Sequence, residues 1–163
     1  MTIEEKIEKL KLKQEEIAKT KLELQKESEL VFDDFCKQVW EKYPLLESFG
    51  WTQYTPYFND GDTCTFNVNT DYLKINGDYA EDSNWFSEKN VTVNGTWNRE
   101  TRTYEGRVLE DNPDYNQKLV EACNSISNFL TIFDNDFFYR RFGDHCEINI
   151  TKNGFEVEDY EHE

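Results

Sequence analysis

Residues 2–42 contain neither Gly nor Pro and are rich in Glu, Lys, Leu and Gln, the residues that lose least on entering a helix. Few folds can absorb such a stretch other than as one long helix. Thr2 is placed to cap its start, with Glu5 three residues later completing a capping box. Ile3, Leu10, Ile17, Leu24 and Val31 recur at strict seven-residue intervals, while the positions four residues on are Ile7, Gln14, Lys21, Ser28 and Phe35. One seam is apolar throughout and its companion only at the ends. Residues 1–30 therefore read as a helical arm, either a coiled-coil segment that finds a partner chain or a solvated helix laying a narrow stripe on its own body. From Leu30 onward Val31, Phe32, Phe35, Cys36, Val39 and Trp40 form a broader apolar face that enters the core of a body spanning residues 31–163. Pro44 disfavours helix at Tyr43 and ends the element.

The chain then changes character. Phe49 to Asp62, FGWTQYTPYFNDGD, sets five aromatic residues against a Pro and closes on an acidic turn. Its rings are expected to seal the junction between helix and sheet, with Thr52, Gln53 and Thr55 fixing the turn and the Asp60 to Asp62 tip reaching solvent. Beyond it, Phe66 with Val68, Leu73 with Ile75, and Val91 with Val93 alternate as strands do. Asn94-Gly95 and Asn153-Gly154 sit between alternating segments and predict hairpin turns, with Thr101 to Leu109 as a further strand. Ala80 to Asn90 reads as an irregular loop. A second long helix is expected between an Asn112 cap and a Gly143 stop, because Leu119, Cys123, Ile126, Leu130, Phe133 and Phe137 alternate spacings of four and three without a break. Its partner would be the second half of the first helix, making Cys36 and Cys123 small core residues. His145 to Asp159 closes the chain as a hairpin with a charged edge.

The charge is unevenly placed. The net formal charge is -16, but residues 1–30 hold seven Lys and eight Glu, so nearly all of the excess lies in the body. Such a field repels nucleic-acid backbones and anionic membranes and favours cations and basic protein surfaces. It also keeps a protein soluble, which is the commoner use of acidity. The apolar fraction is 37%, so the twelve Phe, nine Tyr and four Trp must supply much of the core. No run of about eighteen apolar residues is present to span a membrane. Four cysteines without a C-x-x-C pair, and an N-terminus without an apolar signal segment, fit a reducing, cytoplasmic setting.

Catalytic and metal chemistry find little support. His145 and Cys146 are the only close pair of nitrogen and sulfur ligands, and strand neighbours point to opposite faces. The spacing around Gly61 and Gly77 does not make an EF-hand, and no nucleophile elbow or phosphate-binding loop is present. No metal, cofactor or enzymatic activity is expected. Candidate binding residues are Trp51, Tyr54 and Tyr57 as ring surfaces, with Asp60, Asp62, Asp78, Glu81 and Asp82 as acidic groups.

Trp51 to Asp62, followed by Cys64, Phe66 and Val68 and then by Ile75-Asn76-Gly77-Asp78, resembles a family of uncharacterised proteins associated mainly with bacteriophages. The resemblance implies a phage context in a host cytoplasm and transfers no site. The expectation is an α+β protein with a long, coiled-coil-like N-terminal helix, a second long helix and a small antiparallel sheet of about four to six strands. Its expected role is a non-enzymatic acidic binding protein that engages a basic surface of a host protein, as an inhibitor of a nucleic-acid-handling or defence factor. It would make no direct contact with nucleic acid. The alternatives are an assembly protein that forms a homo-oligomer through residues 1–30, and a small-ligand binder walled by Trp51, Tyr54 and Tyr57.

Overall fold

A computed structural model describes residues 1–58, 60–79, 86–93 and 95–161. The chain forms two compact units, Met1–Val39 and Trp40–Glu163. The first is made by helix α1, Ile3–Lys42, whose 40 residues run about 60 Å. The expected capping box is present: Glu5 N–H donates to Thr2 Oγ1 at 3.2 Å and Thr2 N–H to Glu5 Oε2 at 2.8 Å. The helix stops two residues before Pro44. No helix among the described residues is long and apolar enough to cross a membrane.

The second unit is α+β. Its main sheet has six antiparallel strands in the order β10-β9-β1-β3-β4, with β2 also on β1. The strands are β1 Ser48–Tyr54, β2 Asn67–Val68, β3 Lys74–Ile75, β4 Asp78–Tyr79, β9 Cys146–Thr151 and β10 Gly154–Asp159. The first half of the aromatic stretch is thus the central strand of the sheet. The reason lies in its alternation: Phe49, Trp51 and Gln53 face the core beside Ile150, Ile148 and Cys146 of β9 in direct register. Trp51 packs edge-on to Phe138 and Phe142, each at 5.7 Å between ring centres. Trp40, in the last turn of α1, lies 5.7 Å from Phe49.

Two of the three Asn-Gly pairs mark hairpins. Asn76 and Gly77 join β3 to β4, both with positive φ (53° and 91°) as a two-residue turn of that hand requires. Lys152 and Asn153 join β9 to β10 ahead of Gly154. The predicted hairpin at Asn94-Gly95 is not formed. Strand β5, Asn90–Val93, pairs with β8, Val108–Asp111, and β6, Thr96–Asn98, pairs with β7, Thr103–Glu105. Both ladders keep one register, so 90–93 and 96–98 run against 108–111 and 103–105 as an interrupted two-stranded ribbon whose turn is at 99–102. Asn98 makes that turn by accepting from the N–H groups of Glu100 and Thr101, with Arg102 at φ 54°. Asn94 itself lies outside the described residues. Gly95 serves a different need: a Cβ there would meet Arg107 Cγ at 3.1 Å and Tyr104 Cδ1 at 3.3 Å.

The second helical stretch is also divided. Helix α2, Gln117–Leu130, is capped by Asn116, and α3, Asn135–Phe142, by Asp134, whose carboxylate accepts from Phe137 N–H. The expected cap residue Asn112 instead is buried and turns the chain, accepting from Asp114 N–H and donating to Glu88 O. The break between α2 and α3 does not interrupt the ring cluster, since Phe133 in the linker sits 4.6 Å from Phe137 and 5.0 Å from Phe129. Gly143 ends α3 as expected.

Candidate functional site: the open face of the sheet

Strand alternation gives the six-stranded sheet a second face. Opposite the core, the register aligns Glu156, Asn149, Gly50, Lys74 and Tyr79 in one cross-strand row, and Glu158, Glu147 and Thr52 in the next. Tyr54 of β1 and Tyr160 just past β10 extend the pattern, with ring centres 5.6 Å apart. These positions are the polar phase of segments whose apolar phase is the core: Cys146, Ile148 and Ile150 inward, Glu147, Asn149 and Thr151 outward.

One end of this face is a hollow of 430 Å³ lined by four tyrosines, Tyr54, Tyr72, Tyr79 and Tyr160, with Thr52, Asn69 and Leu73. Asn69 fixes its floor, donating from Nδ2 to Thr52 Oγ1 at 2.8 Å and from its N–H to Thr52 O at 2.9 Å. The other end is a shallower acidic hollow of 230 Å³ that includes Lys74, Glu147, Asn149, Glu156 and Glu158. Between them the Lys74 ammonium reaches across β1 to donate to Glu147, and lies 5.0 Å above the Tyr79 ring. That hydrogen bond raises the Lys74 pKa against the opposing effect of burial, so the cation is held charged. Burial and the neighbouring Tyr79 and Tyr54 raise the Tyr160 pKa, so its phenol stays neutral and can donate.

Glu158 stands directly opposite Glu147 across the β9–β10 ladder, with Glu156 two residues along. Like charges facing each other across a ladder cost stability. Lys74 compensates one of the three. Glu156 and Glu158 make no ion pair among the described residues. A face of phenol rings and uncompensated carboxylates is suited to ammonium or guanidinium groups, which rings attract through their π faces and carboxylates through charge-assisted hydrogen bonds. A larger hollow of 580 Å³, along α2 beside Thr70, Asp71, Ser87 and Glu88, has no exposed ring and no paired charge among the described residues that line it.

The sequence-derived candidates separate. Tyr54 lines the tyrosine hollow. Trp51 is only 1% exposed and belongs to the core, its Nε1 donating to Gln53 Oε1 at 3.1 Å; it cannot meet a partner or wall a ligand pocket. Tyr57 is exposed and stacks on His145 at 5.0 Å, beyond the strand's end. Asp60 and Asp62 are exposed in a turn with φ 40° at Asp60 and 89° at Gly61, but Tyr57 and Phe58 reach solvent there too, so the acidic tip is not the stretch's sole exposed part. Asp78 is exposed on the edge strand β4. Glu81 and Asp82 lie outside the described residues. The sequence reading missed Tyr72, Tyr79, Tyr160, Lys74, Glu147, Glu156 and Glu158. A signal was present, since Glu156, Glu158 and Tyr160 keep the period of two that fixes one face.

Other chemistry is muted at this body. Burial, with Asp144 and Asp159 nearby, pushes the Cys146 thiol up to about 11, away from the reactive thiolate. Among the described residues no three His, Cys, Asp or Glu side chains converge as a metal site would require. Comparison with protein-family models, curated proteins and solved structures finds no match to the chain.

Proposed function

We propose that this chain is an acidic binding protein that acts without catalysis, engaging a basic surface of a host protein through the open face of its sheet. The observation that carries the reading is the cross-strand set Glu147, Glu156 and Glu158 beside four tyrosines, with one cation for three carboxylates. A repulsive array of this kind is worth its cost when a cationic partner completes it. The body's net charge would steer such a partner in from a distance. The resemblance of residues 49–78 to phage-associated proteins fits an encounter in a host cytoplasm, with a nucleic-acid-handling or defence factor as the basic partner, because such factors carry cationic surfaces where phosphates bind.

The test is capture from host lysate with the wild-type chain and with the isosteric variant Glu156→Gln/Glu158→Gln. The expected result is a partner whose retention falls as salt is raised, and whose affinity falls roughly thirtyfold in the double variant, from two charge-assisted contacts of about 1 kcal/mol each. Capture of nothing, or of a partner held equally at high salt and by the variant, overturns the reading.

A further inference from the structure

Helix α1 leaves a line of large apolar side chains uncovered: Ile3, Leu10, Ile17, Leu24 and Val31 are 63, 57, 67, 62 and 54% exposed. Their seven-residue spacing puts them on a single face. The charges beside that line say what covers it. With these five at the d positions of a heptad, the a positions are Ile7, Gln14, Lys21, Ser28 and Phe35. The flanking g positions are then Lys6, Lys13, Thr20, Glu27 and Asp34, and the e positions Glu4, Lys11, Ala18, Gln25 and Phe32.

Two parallel copies would set each a residue against its own counterpart and each g residue beside the next e residue. Lys21 would face Lys21 at the seam and Lys6 would lie beside Lys11, so both the seam and its flank would be repulsive. Two antiparallel copies set a against d and g against g. Lys21 then lies on an aliphatic d residue, which its methylene stem can cover while the ammonium reaches water. The basic g residues of the first half, Lys6 and Lys13, run along the acidic g residues of the second half, Glu27 and Asp34. The bodies add a third preference. Residues 31–163 carry nearly all of the net charge of -16, and they follow the C-terminal end of the seam. A parallel pair brings the two chains' Asp34 positions, beyond which the acidic segments run, side by side. An antiparallel pair sets those positions about 40 Å apart along the seam, several screening lengths.

We infer that α1 pairs with α1 of a second copy in antiparallel orientation, giving a dimer. This goes beyond the binding role proposed above and does not depend on it. If both hold, the dimer carries two binding faces, and a partner with repeated basic sites is bound with avidity.

Sedimentation equilibrium of the full chain over a range of concentrations tests the pairing, and charge reversal tests its direction. Ile17→Asp, in the middle of the seam, is expected to give a monomer whose near-ultraviolet circular dichroism still reports a folded body. Lys6→Glu/Lys13→Glu is expected to weaken an antiparallel dimer roughly tenfold, because attractive pairs become repulsive in both copies. Adding Glu27→Lys/Asp34→Lys should restore it. In a parallel dimer the same Lys6→Glu/Lys13→Glu variant would bind more tightly, since it removes the Lys6 repulsion from Lys11. A wild-type chain that stays monomeric at every concentration, or a charge-reversed variant that dimerises as well or better, overturns the inference.

Discussion

Gln53 illustrates what a single polar residue does inside an aromatic core. It is fully buried on the central strand and makes three hydrogen bonds there. Its Nε2 donates to Phe138 O at 3.0 Å and Gly143 O at 2.6 Å, and its Oε1 accepts from Trp51 Nε1. It therefore ties α3 and the carbonyl of its cap residue Gly143 to β1. Replacing Gln53 with Leu would leave an indole N–H and two carbonyls buried without these partners, and is expected to cost about 2–4 kcal/mol in denaturant unfolding. A cost under about 0.5 kcal/mol would mean that water or a rearranged side chain takes over all three contacts. Asp144 plays a similar part at the next loop. Burial by itself would raise its pKa, but hydrogen bonds from the Thr55 hydroxyl and N–H, both at 2.7 Å, and from His145 N–H outweigh burial and hold it below the usual carboxylate value. A carboxyl lowered in the folded state stabilises the protein above its unfolded pKa, and that contribution is lost as pH falls through the folded value. Urea titrations of wild type and Asp144→Asn should therefore differ at neutral pH and converge in strong acid. A difference that grows on acidification would contradict this.

Among the elements, local chemistry and tertiary packing disagree in two instructive places. The apolar spacing from Leu119 to Phe137 predicts one helix, yet the chain breaks it at Thr131–Asp134. Hydrophobic spacing cannot register this break, because Phe133 packs on Phe129 and Phe137 whether or not its backbone is helical. What records it is Asp134, an N-cap residue in the middle of the pattern, whose side chain holds Phe137 N–H at 2.8 Å. Asp134→Ala is expected to lower stability by about 1 kcal/mol, with Asp134→Ser recovering most of it; equal losses in both variants would argue against a capping role. The Asn94-Gly95 signal fails for another reason. The Asx turn at Asn98 offers a hairpin four residues later, and pairing 90–93 with 108–111 lets both halves of the ribbon keep a common register.

At the level of the molecule, charge and seam divide the work between two units. The body holds an aromatic core on one face of its sheet and a tyrosine-carboxylate surface on the other. The arm carries almost no net charge and an exposed apolar line. In the proposals above the first surface binds by charge and the second by apolar contact, so salt should move them oppositely. Raising salt is expected to release a basic partner from the body while leaving the aliphatic seam paired.

Some of this protein was determined locally, and the sequence alone was enough for it. The α1 helix, its Thr2–Glu5 box, its stop before Pro44 and the β9–β10 hairpin follow from propensity, capping and alternation, which act over a few residues at a time. The α+β class follows from their order. The site did not follow in the same way. Tyr54, Tyr72, Tyr79 and Tyr160 lie as much as 106 positions apart in the chain, and only the order in which β10, β9, β1, β3 and β4 pair brings them with Lys74 and Glu147 to one face. Alternation says that a residue points away from the core. Which residues share that outward face depends on strand order and register, and those are set by long-range pairing that no local pattern encodes.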